Sequence, residues 1–237
     1  MVMSHEALEI YGKEVLEIYS KAETIDLNIL PIEKLATEHL KLKIRYATLS
    51  SDGSIYGLTA YTDTEYHIET ESGMKVISIE SNQILLEKAF LYPKYKSKLF
   101  GKHRFTLAHE VAHQLLFSLE STEDREAYNI VYSKKKSHSV REIKTIEDWN
   151  EWQANVLASI LLMPKDKVDY FMFLVSPNKK IISYDNWFDE IDAPKIKSFC
   201  ELFGVSKTAA IIRLNKLGYI ENKKRMDYRN PLDIVYG

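Results

Sequence analysis

The sequence predicts an α+β fold, with helices towards both ends and a small sheet between them. Over residues 4–22, apolar side chains recur every three or four positions with Glu and Lys between them, which is the pattern of an amphipathic helix. Runs rich in β-branched and aromatic residues follow, and they predict strands at 43–48, 56–61 and 76–80. Helical periodicity returns from about residue 102, so helices and strands are expected in one chain without an α/β repeat.

Punctuating residues predict where the helices begin and end. Pro31 suits the first turn of a helix, and Pro164 stops one. Near the C-terminus, Gly204 is expected in the turn of a helix pair, Ser206 at the N-cap of its second helix and Gly218 at its C-terminal stop. The helices bounded in this way are predicted at 31–40, 102–117, 147–163, 194–203 and 206–217, and the polar stretch 120–146 is expected to be a surface excursion.

Composition excludes several classes of protein. Lys and Arg number 32 against 34 Asp and Glu, so the net charge of -2 provides no global basic field for nucleic acid or anionic lipid. The single cysteine, Cys200, permits no internal disulfide and excludes a thiolate-rich metal site. No signal peptide is recognisable, and the strongest apolar run, 156–163, is far shorter than the roughly 18 residues of a membrane span. We therefore expect a soluble, cytoplasmic protein without a membrane partner.

One pentapeptide carries recognisable chemistry: His109-Glu-Val-Ala-His113, on the helix predicted at 102–117. Residues four apart on a helix differ in direction by about 40° and lie one turn apart, so both imidazoles can face one metal ion. Glu110 falls on the same flank, where it can reach a metal-bound water without ligating the metal. Two imidazoles without sulfur favour Zn²⁺. The opposite side of the helix is apolar, through Leu107, Ala108, Val111 and Leu115.

Chance is a poor explanation for this pattern. With 7 His and 34 acidic residues, about 0.03 occurrences are expected in a chain of this length. The alternative is a surface helix whose two histidines bind nothing. The apolar flank argues against that exposure, because a buried polar trio without a ligand would be costly.

A tetrahedral zinc site needs a third protein ligand, and spacing alone leaves several candidates. On the helix predicted at 147–163, Glu151 and Asn155 lie one turn apart, beside small alanines that let another helix approach closely. Asn155 is placed to hydrogen-bond the outer nitrogen of a ligating histidine. Glu147 lies on the same face and is the other acid on this helix that could be the third ligand. The alternative role for Glu151 is that of a solvated acid at a helix N-terminus. The full set of candidates is His103, His138, Glu147, Asp148 and Glu151.

The segments 104–113 (RFTLAHEVAH) and 151–164 (EWQANVLASILLMP) together resemble the ImmA/IrrE family of zinc metallopeptidases. Residues 203–218 (FGVSKTAAIIRLNKLG) are similar to a helical segment further along in that family, and 31–36 (PIEKLA) to its usual opening helix. The resemblance implies a zincin-like fold, in which a small sheet packs on the HExxH helix. It also implies a metallopeptidase domain at 25–180, preceded by an N-terminal helix (1–24) and followed by a helix-turn-helix-like segment and tail (181–237).

The same resemblance implies the chemistry of the site. Carried over position by position, it implies one Zn²⁺ per chain on His109, His113 and Glu151, with Glu110 as the general base. It further implies a helix-turn-helix (Xre-like) repressor, encoded nearby, as the protein that is cleaved. An edge strand such as 76–80 offers a place for substrate backbone, although most strands only pack.

A binding module is the competing class of function. The helix pair near the C-terminus has the form of a DNA-reading helix-turn-helix, in which Lys207, Arg213 and Lys216 would face phosphates. The basic run 223–225 would extend that patch. In this interpretation the chain binds DNA or the repressor, and its metal site is structural or inactive. The slightly acidic net charge argues against DNA binding.

Overall fold

The computed structural model describes residues 2–23, 29–70, 73–120, 130–132 and 146–229. Over these ranges the fold is mixed α+β, which confirms the predicted class. The chain divides into two compact units, Met1–Pro164 and Lys165–Gly237. The division follows the proline that was predicted to stop a helix, whereas the sequence placed the start of the C-terminal segment at 181. None of the helices in the described ranges combines the length and apolar content needed to cross a membrane.

The helices of the first unit include the two that were predicted to carry the site. Helix α1 spans His5–Glu23, α2 spans Ile32–Lys34 and continues as a π-helical turn at Leu35–His39, α3 spans Lys96–Ser118, and α4 spans Ile146–Leu162. Two short 3-10 turns, Lys88–Leu91 and Pro93–Tyr95, lead into α3. Helix α3 begins at Lys96, earlier than the predicted residue 102, because its exposed opening turn is polar and shows no apolar periodicity.

The strands of the first unit form a four-stranded sheet and a separate two-stranded ribbon. They are β1 Lys43–Ala47, β2 Gly57–Ala60, β3 Thr64–Thr70, β4 Gly73–Ile79, β5 Gln83–Glu87 and β6 Ile130–Tyr132. The sheet has the order β1-β5-β2-β6, with β1 parallel to β5 and the other pairs antiparallel. Strands β3 and β4 pair antiparallel with each other as the ribbon.

Three of these strands, β3, β5 and β6, were not predicted, and β6 lies within the stretch 120–146 that was expected to be a surface excursion. All five residues of β5 are buried, so the strand lacks the alternation that marks a half-exposed one. Among the residues of β3 whose burial is described, 64–68, Tyr66 and Ile68 are buried, and two apolar positions in a short polar run are a weak signal for a strand. Composition alone does not distinguish such segments from loops, because neighbouring strands decide which side chains are covered.

Helix α1 belongs to the first unit, since it packs directly on α4. A Cβ atom at Gly12 would lie 2.6 Å from Cγ2 of Ile160, so a larger residue would force the two helices apart. Tyr11 also donates a hydrogen bond from its hydroxyl to the carbonyl of Leu115 on α3, at 3.3 Å. The N-terminal helix, which the sequence analysis placed before the metallopeptidase domain, therefore contacts both helices of the candidate site.

The second unit is built from three helices and one strand pair among its described residues. Helix α5 spans Lys165–Val175, α6 spans Asp192–Phe203 and α7 spans Lys207–Lys216, while β7 Ile181–Tyr184 pairs parallel with β8 Ile220–Lys223. In its core, Phe171 contacts Phe199 and Phe203 edge to face, and the rings of Phe199 and Phe203 pack against each other at a tilt. Helix α5 was not predicted, because Pro164 was read only as the end of the preceding helix.

The predicted turn of the helix pair is confirmed. Gly204 has φ 62° and ends α6 in the left-handed conformation, which a residue without a side chain adopts at least cost. The hydroxyl of Ser206 accepts a hydrogen bond from the amide of Ala209 at 3.2 Å, as expected of an N-cap. Gly218 follows α7 with φ 79°.

The DNA-reading interpretation placed Arg213 on phosphate, and this placement is wrong. Only 2% of Arg213 is exposed, because it lies on the face of α7 that also buries Ala210 and Leu214. Lys207 and Lys216 are exposed, as that interpretation requires. A guanidinium on the packed face of a helix cannot contact a duplex, so the basic surface of α7 is smaller than the sequence suggested.

Candidate metal centre

Three side chains with metal-ligating atoms converge in the first unit: His109 and His113 from α3, and Glu151 from α4. The two Nε2 atoms lie 3.0 Å apart. Each carboxylate oxygen of Glu151 faces one ring, with Oε2 3.3 Å from Nε2 of His109 and Oε1 3.3 Å from Nε2 of His113. Among the described residues this is the one group of three or more His, Cys, Asp or Glu side chains close enough together to hold a metal ion.

Small residues bring the two helices close enough for this convergence. Ala108 and Ala112 on α3, and Ala154 and Ala158 on α4, are each fully buried. Because these side chains end at Cβ, the helix axes can approach until the carboxylate of Glu151 reaches the next helix. The turns of α3 around the site are buried on all sides, including the polar residues Thr106 and Gln114. The prediction that Leu107, Val111 and Leu115 face the core is confirmed.

The spacing of the ligand atoms fits a four-coordinate metal ion. Metal–ligand bonds of about 2.0–2.1 Å in a tetrahedron put neighbouring ligand atoms about 3.3–3.4 Å apart. The three observed separations, 3.0, 3.3 and 3.3 Å, are close to that edge length. The side chains of His109 and His113 are 3% and 2% exposed, and that of Glu151 is 14% exposed. One side of the group therefore remains open for a fourth ligand.

The ionisable groups of the centre shift one another's pKa values. Burial by itself would raise the pKa of Glu151, but hydrogen bonds and charge interactions with the two histidines lower it to about 2. Burial lowers the pKa of His109, yet the hydrogen bond and charge of Glu151 outweigh it, with Glu110 and Asn155 adding to them, so the pKa ends above the ordinary value. His113 shifts the other way, because burial and the neighbouring charge of His109 lower its pKa. The Glu151 carboxylate is therefore ionised, and the His109 imidazole binds a proton more readily than an unperturbed one, as expected in a site that favours positive charge.

Glu110 lies beside this group without joining it. Its side chain is fully buried, and it packs against the start of β2. A Cβ atom at Gly57 would lie 2.6 Å from Oε1 of Glu110 and 2.7 Å from Cγ2 of Thr106. The carboxylate therefore occupies the space that any other residue at position 57 would need.

Gly57 is a site residue that the sequence analysis missed. The sequence analysis placed it within the strand predicted at 56–61 and gave it no role at the site, whereas in the structure it is the first residue of β2 and pairs with Leu86. A glycine inside a strand sometimes marks a close approach of another group, and this is the one signal that was available. Which group approaches depends on α3 crossing the sheet, and no local pattern encodes that.

Strand β2 is joined to α3 by further polar contacts. Gln114 donates from Nε2 to the hydroxyl of Thr59 at 2.6 Å and to the carbonyl of Ala60 at 3.0 Å. Beyond the strand, Tyr61 stacks on Phe117 with ring centroids 3.7 Å apart, and its hydroxyl lies 3.5 Å from the carbonyl oxygen of His113. These contacts hold the helix that carries both histidines against β2, an inner strand of the sheet.

A narrow cleft of about 20 Å³ adjoins the centre. His113 forms part of its wall, Tyr61 and Phe117 provide a flat aromatic side, and Asn150 and Gln153 contribute amides from α4. At this size the cleft admits about one water molecule next to His113, between the aromatic side and the amide side. It was not predicted, because its walls come from three separate elements.

Asn155 lies close to the position expected of it. Its Nδ2 donates to the backbone carbonyl of Glu151 at 2.9 Å, and its side chain helps to raise the pKa of His109. The Nδ1 atom of His109 has no hydrogen-bond partner in the part of the chain that the structure describes. A hydrogen bond from the outer nitrogen of a ligating histidine to the side-chain oxygen of Asn155 therefore stays a prediction.

The other candidates for the third ligand stand apart or fall outside the described side chains. Nε2 of His103 lies 2.9 Å from the hydroxyl of Tyr46, and its ring packs on Phe90, so it takes part in a different contact. Asp148 is described and does not join the group. His138 and the side chain of Glu147 lie outside the described residues.

The first prediction concerns metal content. Protein prepared with excess zinc should retain about one ion per chain after gel filtration, measured by elemental analysis. His113→Ala should bind at least tenfold more weakly, because one of three protein ligands is lost. Glu151→Gln should weaken binding more than the matched variant Glu147→Gln does. If Glu147→Gln weakened zinc binding more than Glu151→Gln does, the third ligand would be Glu147.

The second prediction concerns the pH dependence of that binding. Since the pKa of His109 is raised, a proton occupies this ring in the metal-free protein below and somewhat above pH 6.5. Zinc must displace that proton, so its affinity should fall by up to tenfold for each pH unit below that range. Competition titrations with a chelator between pH 5.5 and 8, corrected for the chelator's own protonation, measure the slope. A flat profile would show that no ligand histidine titrates there.

The third prediction concerns Gly57. Gly57→Ala should lower the free energy of unfolding by about 1–3 kcal/mol, because its methyl group collides with Glu110. Shortening the acid in the double variant Gly57→Ala/Glu110→Asp should recover part of that loss, which a double-mutant cycle in denaturant detects. Fully additive effects would contradict the proposed contact. Zinc content should remain at one ion per chain in both variants.

Comparison with known proteins adds no relative. A scan against protein-family models and a search of curated proteins found no match to this chain. The functional argument below accordingly starts from the geometry of His109, His113 and Glu151, together with the buried acid at position 110.

Proposed function

We propose that this protein is a zinc-dependent endopeptidase that hydrolyses a peptide bond in a specific protein. One observation carries the proposal: three ligand atoms stand at tetrahedral spacing, and the residue next to the first histidine is a buried carboxylate that is not a ligand. Two imidazoles and one carboxylate, with no sulfur, form the donor set of catalytic rather than structural zinc sites. The fourth position of such a site is left for water or substrate.

The architecture around the centre supports a zincin-like arrangement. Helix α3 packs against β2 and β5 of a small mixed sheet, and α4 supplies the third ligand from the other side. This matches the arrangement implied by the resemblance to the ImmA/IrrE family. The sequence segments that carry that resemblance, 104–113 and 151–164, are the segments that meet at the candidate centre.

The chemistry divides between the metal and the side chains. A zinc ion held by the three ligands would supply Lewis acidity, which lowers the pKa of water and polarises a substrate carbonyl. Glu110 accepts the proton of the attacking water and afterwards passes it to the leaving amine. Its side chain is fully buried and lies outside the group of ligands, so it is not held by the metal. Gly57 and Thr106 restrict where that carboxylate can move.

A peptide substrate would contact the walls of the cleft beside His113, which has to widen to admit it. Its flat aromatic side, Tyr61 and Phe117, offers contact for an apolar side chain next to the scissile bond. The amide of Asn150 can bond to a peptide backbone on the facing side, whereas Oε1 of Gln153 already accepts from the backbone amide of Met3 at 2.6 Å. We infer the class of substrate, a helix-turn-helix (Xre-like) repressor, from the family resemblance. The cleft itself sets no requirement for that class.

The deciding experiment replaces the general base. Glu110→Gln keeps the size of the side chain and cannot accept a proton, so it should bind zinc normally and lose hydrolysis by about 10²–10⁴-fold. The zinc-loaded protein is incubated with a helix-turn-helix protein encoded by a neighbouring gene. In a separate reaction it is incubated with a mixture of peptides from a whole proteome. Mass spectrometry then locates new termini, with and without a chelator.

The matched control is Glu17→Gln, which makes the same chemical change on the exposed face of α1. It should cleave as the unmodified protein does. If Glu110→Gln retained full activity, Glu110 would not be the base. Cleavage that survives complete removal of the metal would exclude a metallopeptidase altogether. A tightly bound zinc with no cleavage of any protein or peptide would instead favour the binding module with a structural metal.

A further inference from the structure

A second recessed region of the first unit lies between the outer edges of β1 and β4. It is a groove of about 500 Å³, and none of its lining residues belongs to the metal centre or to the cleft beside it. The side chains that the argument uses are Arg45, Tyr46, Thr48, Lys75, Val76 and Lys88. The sequence analysis named the strand 76–80, whose residues 76–78 line one side of this groove, as a place for substrate backbone, but it assigned no role to β1 or to the cations of the groove.

Strand β1 presents unpaired backbone positions to the groove. It is the end strand of its sheet, with β5 on one side only. The amide of Lys43 donates to the carbonyl of Asn82 at 3.0 Å, within the parallel register that pairs Lys43 with Gln83. In a parallel ladder alternate residues bond to the neighbouring strand. The amides and carbonyls of Ile44 and Tyr46 therefore point to the open edge.

Strand β4 faces this edge from the other side. Nη1 of Arg45 donates to the carbonyl oxygen of Ser78 at 3.1 Å, so at least one outward carbonyl of β4 is directed at β1. Lys43 forms an ion pair with Glu80. These two contacts run in opposite chain directions on the two strands, so β1 and β4 lie antiparallel across the gap. They bridge one end of the groove and leave the other end, around Thr48 and Lys75, open.

The groove has a single sign of charge. Arg45, Lys75 and Lys88 line it, and no carboxylate does so among the described residues. All three cations are exposed, and Val76 between them is 47% exposed. A strip of positive charge with an apolar residue, set along unpaired strand edges, matches an extended peptide whose side chains alternate between acidic and apolar.

We propose that this groove binds an extended acidic segment of a partner protein, which adds as a strand to the edge of β1. The backbone of the segment pairs with Ile44 and Tyr46, and its Asp or Glu side chains contact Arg45, Lys75 and Lys88. Two features favour a peptide over a compact anion: the unpaired backbone groups and the exposed valine. Basic residues on an edge strand also guard it against unwanted pairing, and the test has to separate that role from docking.

The test measures binding of a labelled ten-residue peptide of alternating Glu and Val by fluorescence anisotropy. Three comparison peptides are used: one with Lys in place of Glu, one with Pro in place of two Val residues, and one with the same composition in D-amino acids. The Glu/Val peptide should bind, the Lys/Val peptide should not, and the proline peptide should bind at least tenfold more weakly because proline cannot donate to a ladder. Binding should be the same with and without a zinc chelator.

Charge reversals assign the site. Lys75→Glu and Lys88→Glu should each weaken binding at least fivefold, and the matched reversal Lys13→Glu on the exposed face of α1 should leave it unchanged. Because these side chains are exposed, the variants should keep the circular dichroism spectrum of the parent. The peptide experiment is independent of cleavage, so its failure leaves the peptidase proposal intact, and the reverse also holds.

Three outcomes overturn the proposal. No binding of the Glu/Val peptide at up to about 1 mM would show that the cations only guard the edge. Equal binding of the proline or D-amino-acid peptide would show charge attraction without strand addition. Full competition by inorganic polyphosphate or duplex DNA at equal charge concentration would show a general anion site.

Discussion

The metal centre depends on one constraint: three polar side chains share a space from which water is largely excluded. Both oxygens of Glu151 lie 3.3 Å from imidazole nitrogens, and the two nitrogens are 3.0 Å from each other. Unless one ring carries its proton on Nε2, two neutral rings this close face each other with acceptor atoms, which is unfavourable in a buried site. A cation between them removes that conflict, and without a metal the raised pKa of His109 favours a proton in its place. The same geometry that makes the group unstable when neutral makes it suited to a metal ion.

Close approach of backbones is what makes this constraint achievable. Alanines on α3 and α4 allow the helices to meet, Gly12 seats α1 on α4, and Gly57 lets β2 touch the carboxylate of Glu110. At each of these positions a small side chain, or the absence of one, leaves room for a close approach, and none of these residues contributes a reactive group. A larger side chain at any of them would move a reactive atom by a fraction of an ångström, which matters where ligand spacing decides function. The sheet, Gln114 and the Tyr61–Phe117 stack then hold α3 in that position.

The first unit separates its two candidate binding regions by chemistry. Beside the metal the cleft is narrow, aromatic and amide-lined, and it has to widen to admit a peptide. At the edge of β1 the groove is cationic and backbone-rich, which suits a segment that is held and not changed. In the second unit, burial of Arg213 removes one of the basic groups that a DNA-reading helix would need. The exposed positive charge of that unit comes from lysines and from arginines outside the packed face of α7.

The sequence by itself determined the local features. The spacing of His109, Glu110 and His113 places them on one flank of a helix, and the residues Gly204 and Ser206 specify the turn of the helix pair, because such features depend only on neighbours along the chain. It narrowed the third ligand to a short set without choosing among them from spacing alone. Tertiary structure decided that Glu151 meets the histidines, that Gly57 touches Glu110, and that β1 and β4 enclose a cationic groove. Those relations join segments far apart in the chain, and the packing that creates them leaves no periodic signal in any one segment.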